Sequence, residues 1–200
     1  MGMRWGLALC AGALLASSSV LAADVKPRVK EIIAERCHLC HGMEGESATA
    51  IYPRLAAQHG AYMAKQLRDF RDGRRVGTMN EMAKGLTDEE IVGLAAYFSA
   101  KKPLSRKPSN ADLAGVGKYI FRYGNPYSGI APCASCHGEA GYGTEQLPRL
   151  AGQHPAYVEG QLTDFISGSR TNDKSIMHAI ASKLTTLEIK AVASYIGGLE

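Results

Sequence analysis

The sequence predicts an all-α protein assembled from two tandem copies of one small domain. Three observations carry this expectation. Apolar residues recur at helical spacing in several segments, the second half of the chain repeats the first at a period near 95 residues, and no stretch shows the alternation of a strand, the intervening loops being rich in Gly and Pro.

Each copy offers three helices. Segments 25–35 and 112–122 come first, 61–71 and 156–166 follow, and 87–99 and 185–196 close each copy. The closing pair carries matched start signals, Thr87 with Glu90 and Thr185 with Glu188, each a Thr-x-x-Glu capping box. Behind them Ile91, Leu94, Ala95 and Phe98, and Ile189, Val192, Ala193 and Ile196, form stripes to be buried.

The duplication is readable residue by residue. Pro53-Arg54-Leu55-Ala56 matches Pro148-Arg149-Leu150-Ala151, and Gln58-His59 matches Gln153-His154. Ala61-Tyr62, Gln66-Leu67, Asp69-Phe70 and Gly73 pair with Ala156-Tyr157, Gln161-Leu162, Asp164-Phe165 and Gly168, and Leu86-Thr87 with Leu184-Thr185. Such a period is too long for a solenoid unit and fits a duplicated domain. The expected organisation is a signal peptide over 1–22, a first domain over 24–100, a linker over 101–110 and a second domain over 111–200. The linker is charged and holds Pro103 and Pro108, which reads as a semi-stiff connection.

The first residues read as an export signal: a basic start ending at Arg4, an apolar run from Trp5 to Leu15, then small residues, with cleavage after Ala22 or Ala23. The apolar run is shorter than the ~20 residues a spanning helix needs, and no later segment comes closer. Cys10 lies inside that run behind Leu9, where lipoprotein processing would want a small residue. Periplasmic localisation is therefore expected, and peripheral association with the inner-membrane surface is compatible with it. The net charge of +4 falls to +3 without Arg4. No basic cluster interleaved with aromatics suggests nucleic acid.

Of five cysteines, the four beyond the signal fall as Cys37-x-x-Cys40-His41 and Cys133-x-x-Cys136-His137. In an oxidising compartment four cysteines alone would suggest disulfides, but the histidine after each pair points elsewhere. Two thiols at this spacing add across the vinyl groups of a porphyrin while the adjacent imidazole reaches the iron, so two covalently bound haem c groups are expected. A zinc site would need closure by further ligands, and a redox dithiol a βαβ context. Copies this small often cannot fold on their own core, and a haem would supply apolar mass to each.

Methionine is the natural partner opposite each histidine. Met79 and Met177 each stand seven residues before the matched leucine, 38 and 40 residues after His41 and His137. The approach to Met79 is three residues shorter, and nearby Met82 is a rival whose counterpart is Ile180. Met43 and Met63, matched by Glu139 and Val158, are assigned to packing or surface. His59 and His154 match each other and, with His38 and His178, are expected to be structural or solvent-facing. Pro53 and Pro148 are placed to offer a carbonyl to the second nitrogen of each haem histidine. Arg54, Arg149, Tyr62 and Tyr157 would either contact haem propionates or serve as surface charge and aromatic packing.

The two Cys-x-x-Cys-His-Gly units, the Pro-Arg-Leu-Ala, Tyr-x-x-x-Gln-Leu-x-x-Phe and Gly-x-Arg stretches, and the downstream methionines resemble the di-haem cytochromes c4 over 25–199. The resemblance implies two class I cytochrome c domains facing each other through their propionate edges. It implies His41 with Met79 and His137 with Met177 as axial pairs, and electron flow from a quinol-oxidising complex to a terminal oxidase. Redox proteins are the expected partners, and no catalytic residue is assigned, since closed iron faces leave no substrate site. The competing functions are an electron-accepting subunit of a flavoprotein sulfide dehydrogenase and a di-haem peroxidase or thiosulfate-oxidising enzyme with an open axial position.

Overall fold

The computed structural model describes residues 1–2 and 27–200. The expected signal peptide and its cleavage point lie outside the described residues.

In the first copy α1 (Pro27–Ile32) runs through a π-helical turn (Ile33–Cys37) into α2 (His38–His41), followed by α3 (Gly60–Arg71), α4 (Met79–Ala83) and α5 (Asp88–Ser99). The second copy repeats this order as α6 (Ala111–Tyr123), α7 (Ala134–His137), α8 (Pro155–Ser167), α9 (Ile176–Ala181) and α10 (Thr186–Gly197). The fold is all-α, as expected: among the described residues the only β pairing is an isolated bridge between Asn125 and Ile130. Both capping boxes form, with Thr87 and Thr185 each exchanging hydrogen bonds with the glutamate three residues on.

Two features were not expected from periodicity, the short helices that carry the methionines and the π turn that leads into the first cysteine unit. The methionines stand on short helices, α4 and α9, too brief to show a repeat. The first helix continues through a π turn directly into the cysteine unit, whereas α6 stops at Gly124 (φ 72°) and a loop intervenes before Cys133. At Gly124 a Cβ would meet the Ile130 carbonyl, so the turn requires glycine.

Each copy has its own apolar cluster. Val29, Ile32, Ile33, Ile91, Leu94 and Phe98 centre the first, with Cys37 and Leu55 against it. Ile120, Phe121, Phe165, Ile189, Val192 and Ile196 centre the second, joined by Cys133, Leu150 and Met177. In both, the first and last helices touch through a glycine, but the glycine has changed helix. Gly93 on α5 accepts Val29 of α1, a Cβ there lying 2.6 Å from Val29 Cγ2, while Gly117 on α6 meets the backbone of Ala191 on α10. The close approach survived duplication by exchanging which helix gives up its side chain.

The 101–110 segment is extended and tied at both ends. Lys101 pairs with Glu44 at 2.9 Å, Arg106 with Glu46 at 2.9 Å, and the Leu104 N–H donates to Glu46. At the far end Ser194 Oγ donates to the Asn110 carbonyl at 2.8 Å and accepts the Asn110 N–H at 3.0 Å.

The crossings set opposite expectations for two glycines of α6. Gly117→Ala drives a methyl into the Ala191 carbonyl and is expected to lower stability by about 1–3 kcal/mol. Gly115→Ala meets open space and is expected to raise it by about 0.5–1 kcal/mol through helix propensity. Denaturant unfolding of the haem-loaded protein reads both, and equal midpoints for the two variants would contradict the tight crossing.

Candidate haem-binding sites

In each copy the cysteine unit ends a helical segment whose last residue is the histidine. His41 closes α2 and His137 closes α7, and both are buried. His41 Nδ1 lies 2.9 Å from the Pro53 carbonyl and His137 Nδ1 lies 3.2 Å from that of Pro148. The carbonyl accepts, so the proton sits on Nδ1 and Nε2 keeps its lone pair for a metal. Burial pushes the pKa of both imidazoles below the ordinary value, with the proline carbonyls opposing it, which favours this neutral form.

Burial also pushes the Cys37 and Cys133 thiols up to about 11. This is the opposite of the lowering that activates a redox cysteine. Among the described residues no group of three or more His, Cys, Asp and Glu gathers into a metal-holding cluster.

Met79 opens α4 and Met177 is the second residue of α9; both are half-buried, and Met177 packs on the second core. The rival Met82 is exposed, as is Met43, while Met63 is buried in the first core. His38 Nδ1 is 3.3 Å from the Ile33 carbonyl within the π turn, and His178 Nδ1 is 2.8 Å from the Phe165 carbonyl. His59 and His154 reach across to the opposite copy, His59 Nε2 to Tyr142 O at 2.6 Å and His154 Nε2 to Ser47 O at 2.9 Å.

The copies meet through reciprocal polar contacts. Gln153 Oε1 accepts the Arg54 N–H at 2.9 Å while its Nε2 donates to the Arg54 carbonyl at 3.0 Å; Gln58 does the same with Arg149 at 2.8 and 2.9 Å. Deeper in, Arg75 lies over Phe70 and Arg170 over Phe165, each 4.5 Å from the ring centre. Arg75 donates to Gln66 of its own copy and to Gln161 and Tyr157 of the other. Arg170 donates to Gln161 of its own copy and to Gln66 and Tyr62 of the other. Tyr62 and Tyr157 therefore each serve the opposite copy's arginine. The arginine ends of the matched Gly-x-Arg stretches, together with Gln66 and Gln161, were the signal for this network, which a single copy cannot reveal.

Haem fits these surroundings. The Nε atom of Arg149 is buried without a hydrogen-bond partner, and a propionate carboxylate is the group that guanidinium geometry suits; that of Arg54, also without one, already faces Glu46 Oε2 at 3.7 Å.

The comparisons with known proteins agree. Residues 25–98 match the family described as cytochrome C oxidase, cbb3-type, subunit III, and residues 129–200 match that described as cytochrome c. Cytochrome c4 of Thiocapsa roseopersicina is 41% identical over 167 residues, 82% of this chain and 86% of its own. The chain belongs to the cytochrome c4 family. It carries two covalently bound haem c groups and is a di-haem electron carrier. The crystal structure of reduced recombinant cytochrome c4 from Pseudomonas stutzeri superposes with a TM-score of 0.81 at 36% identity, covering 88% of this chain and 99% of that one. A protein of Thiomonas intermedia (strain K12) named thiosulfate dehydrogenase electron acceptor is 38% identical over 170 residues, 82% of this chain and 78% of its own.

The His154 contact carries a pH dependence. Burial holds its pKa below the ordinary imidazole value, the Ser47 carbonyl opposes this, and Arg54 and Arg106 add to the lowering. Once pH falls below the unfolded value of about 6.5, unfolding takes up a proton that the folded state resists, so stability is lost on acidification. Denaturant midpoints of the haem-loaded protein are expected to drop between pH 7 and 5, and to drop less in His154→Gln; identical pH profiles would remove His154 as the cause.

Proposed function

We propose that this cytochrome is an exported, periplasmic one-electron carrier between a quinol-oxidising complex and a terminal oxidase. Cys37, Cys40, Cys133 and Cys136 are its thioether anchors, with His41 and Met79, and His137 and Met177, as axial ligands. The observation that carries this is that each copy has a buried histidine, its Nδ1 proton on a proline carbonyl, and later in the chain a half-buried methionine on a short helix.

Bound haem would supply a reversible one-electron centre, and a methionine ligand beside the histidine would raise its potential. The protein's own residues do the rest. Pro53 and Pro148 orient the imidazoles, the apolar clusters keep water from the porphyrin, and Arg149 stands ready for a propionate. Among the described residues no helix is long and apolar enough to cross a membrane.

The Thiomonas relative favours a second reading, in which the electron donor is a sulfur-oxidising dehydrogenase. Rapid reduction by a thiosulfate dehydrogenase with its substrate, and slow reduction by a quinol-oxidising complex, would select it over the first.

The weak near-infrared sulfur-to-iron band of the oxidised protein tests the ligand assignment. Met79→Ala and Met177→Ala are each expected to remove about half of it, because each site contributes one thioether. High-spin iron in the wild type, or a substitution that leaves the band whole, would reopen the peroxidase-type alternative.

A further inference from the structure

The two copies hold their methionine segments differently. The Arg75 N–H donates to the Asp69 carbonyl and the Arg170 N–H to that of Asp164, each at 3.0 Å, so the segments start alike. Three residues, 76–78, then lead to Met79, and six, 171–176, lead to Met177.

The short segment is secured inside its own copy. Asn80 Nδ2 donates to the carbonyls of Phe70 at 2.6 Å and Arg75 at 2.8 Å, and its Oδ1 accepts the Gly77 N–H at 2.7 Å. The matched His178 reproduces only one of these, the bond to the equivalent phenylalanine carbonyl, Phe165.

The longer segment turns to the other copy instead. Asn172 Nδ2 donates to Asp69 Oδ2 at 2.6 Å and to Gln66 Oε1 at 3.0 Å, and the Asn172 carbonyl accepts Lys65 Nζ at 2.8 Å. All three partners lie on α3 of the first copy. The next residue, Asp173, accepts the Met177 N–H at 2.6 Å and the Ser175 N–H at 3.1 Å. Between them Lys174 and Ser175 adopt φ of 60° and 62°, a conformation that persists only where the surroundings hold it. Asp69 is 4% exposed; burial opposes its charge, but hydrogen bonds from Lys65, Asn172 and Arg74 outweigh it and lower the pKa.

Beyond the bonds of Arg75 to Tyr157 and Gln161, this grip has no match in the other direction. Gly160 stands where Lys65 has its match, the Asp164 carboxylate accepts from Gln161 of its own copy at 2.9 Å, and the three-residue segment has no counterpart of Asn172.

We propose that Lys65 and Asp69 of the first copy grip Asn172 as a one-way strut that positions Met177, so that the thioether at the second site has a hold on the opposite copy, beyond the arginine that starts each segment, which that of Met79 lacks. Lys65, Asp69 and Asn172 are thus positioning residues, and the inference rests on the assignment of Met177 as an axial ligand.

Imidazole titration of the oxidised, haem-loaded protein tests it, since imidazole replaces the sulfur-to-iron band one site at a time. Met79→Ala and Met177→Ala assign the two halves. Asn172→Ala and Lys65→Ala are each expected to let imidazole displace the Met177 half at about tenfold lower concentration, the scale of losing hydrogen bonds to charged groups, with the Met79 half unmoved. Lys65 discriminates because it belongs to the first copy, where general loosening would shift the Met79 half. Wild-type titrations in both variants, or a shift of the Met79 half in Lys65→Ala, overturn the strut. If Met177→Ala removes half the band while these variants titrate as wild type, the strut alone fails; if Met177→Ala leaves the band whole, the ligand assignment fails with it.

Discussion

Two guanidinium groups buried between the copies constrain much of the rest. Arg75 and Arg170 are each 8% exposed, and their hydrogen-bond partners are all neutral side chains. A buried charge is tolerated only when its donors are satisfied, and here each arginine needs acceptors from both copies. Separating the copies would strip Tyr157 and Gln161 from Arg75, and Tyr62 and Gln66 from Arg170. The arginines also start the segments that lead to the methionines, through backbone bonds to Asp69 and Asp164. Docking of the copies and construction of each haem pocket are therefore one problem.

Around this pseudo-twofold arrangement the copies diverge where symmetry is not needed. The glycine of the helix crossing moved from α5 in one copy to α6 in the other, because either helix can surrender the side chain. The cysteine unit follows α1 through a π turn but is separated from α6 by a loop closed by the Asn125–Ile130 bridge. The methionine segments differ in length, and the longer one is held partly by the opposite copy. What did not diverge is the chemistry at the iron side: a buried histidine bonded to a proline carbonyl in both copies. An imidazole free to turn would lose the orientation a metal needs.

Much of this was legible in the residues themselves. Covalent haem attachment is written locally, since Cys37, Cys40 and His41, and their matches, must be close in sequence to reach one porphyrin. The helices with capping boxes and apolar stripes were equally visible, because caps and periodicity are local properties. The proline carbonyls could be anticipated from matched prolines at matched distances. The short helices α4 and α9 could not, having too few residues to display a period.

By itself, then, the sequence determined the helical class, the duplication and the residues available to two haems, all of which follow from local chemistry and internal repetition. Only the tertiary structure decided what the two copies do to each other. Tyr62 and Tyr157 proved to serve the opposite arginines, Gln58 and Gln153 to pair with the opposite backbones, and Asn172 to reach Asp69. Each of these contacts joins residues more than 80 positions apart, and a repeat in sequence shows that two surfaces are alike without showing that they face one another.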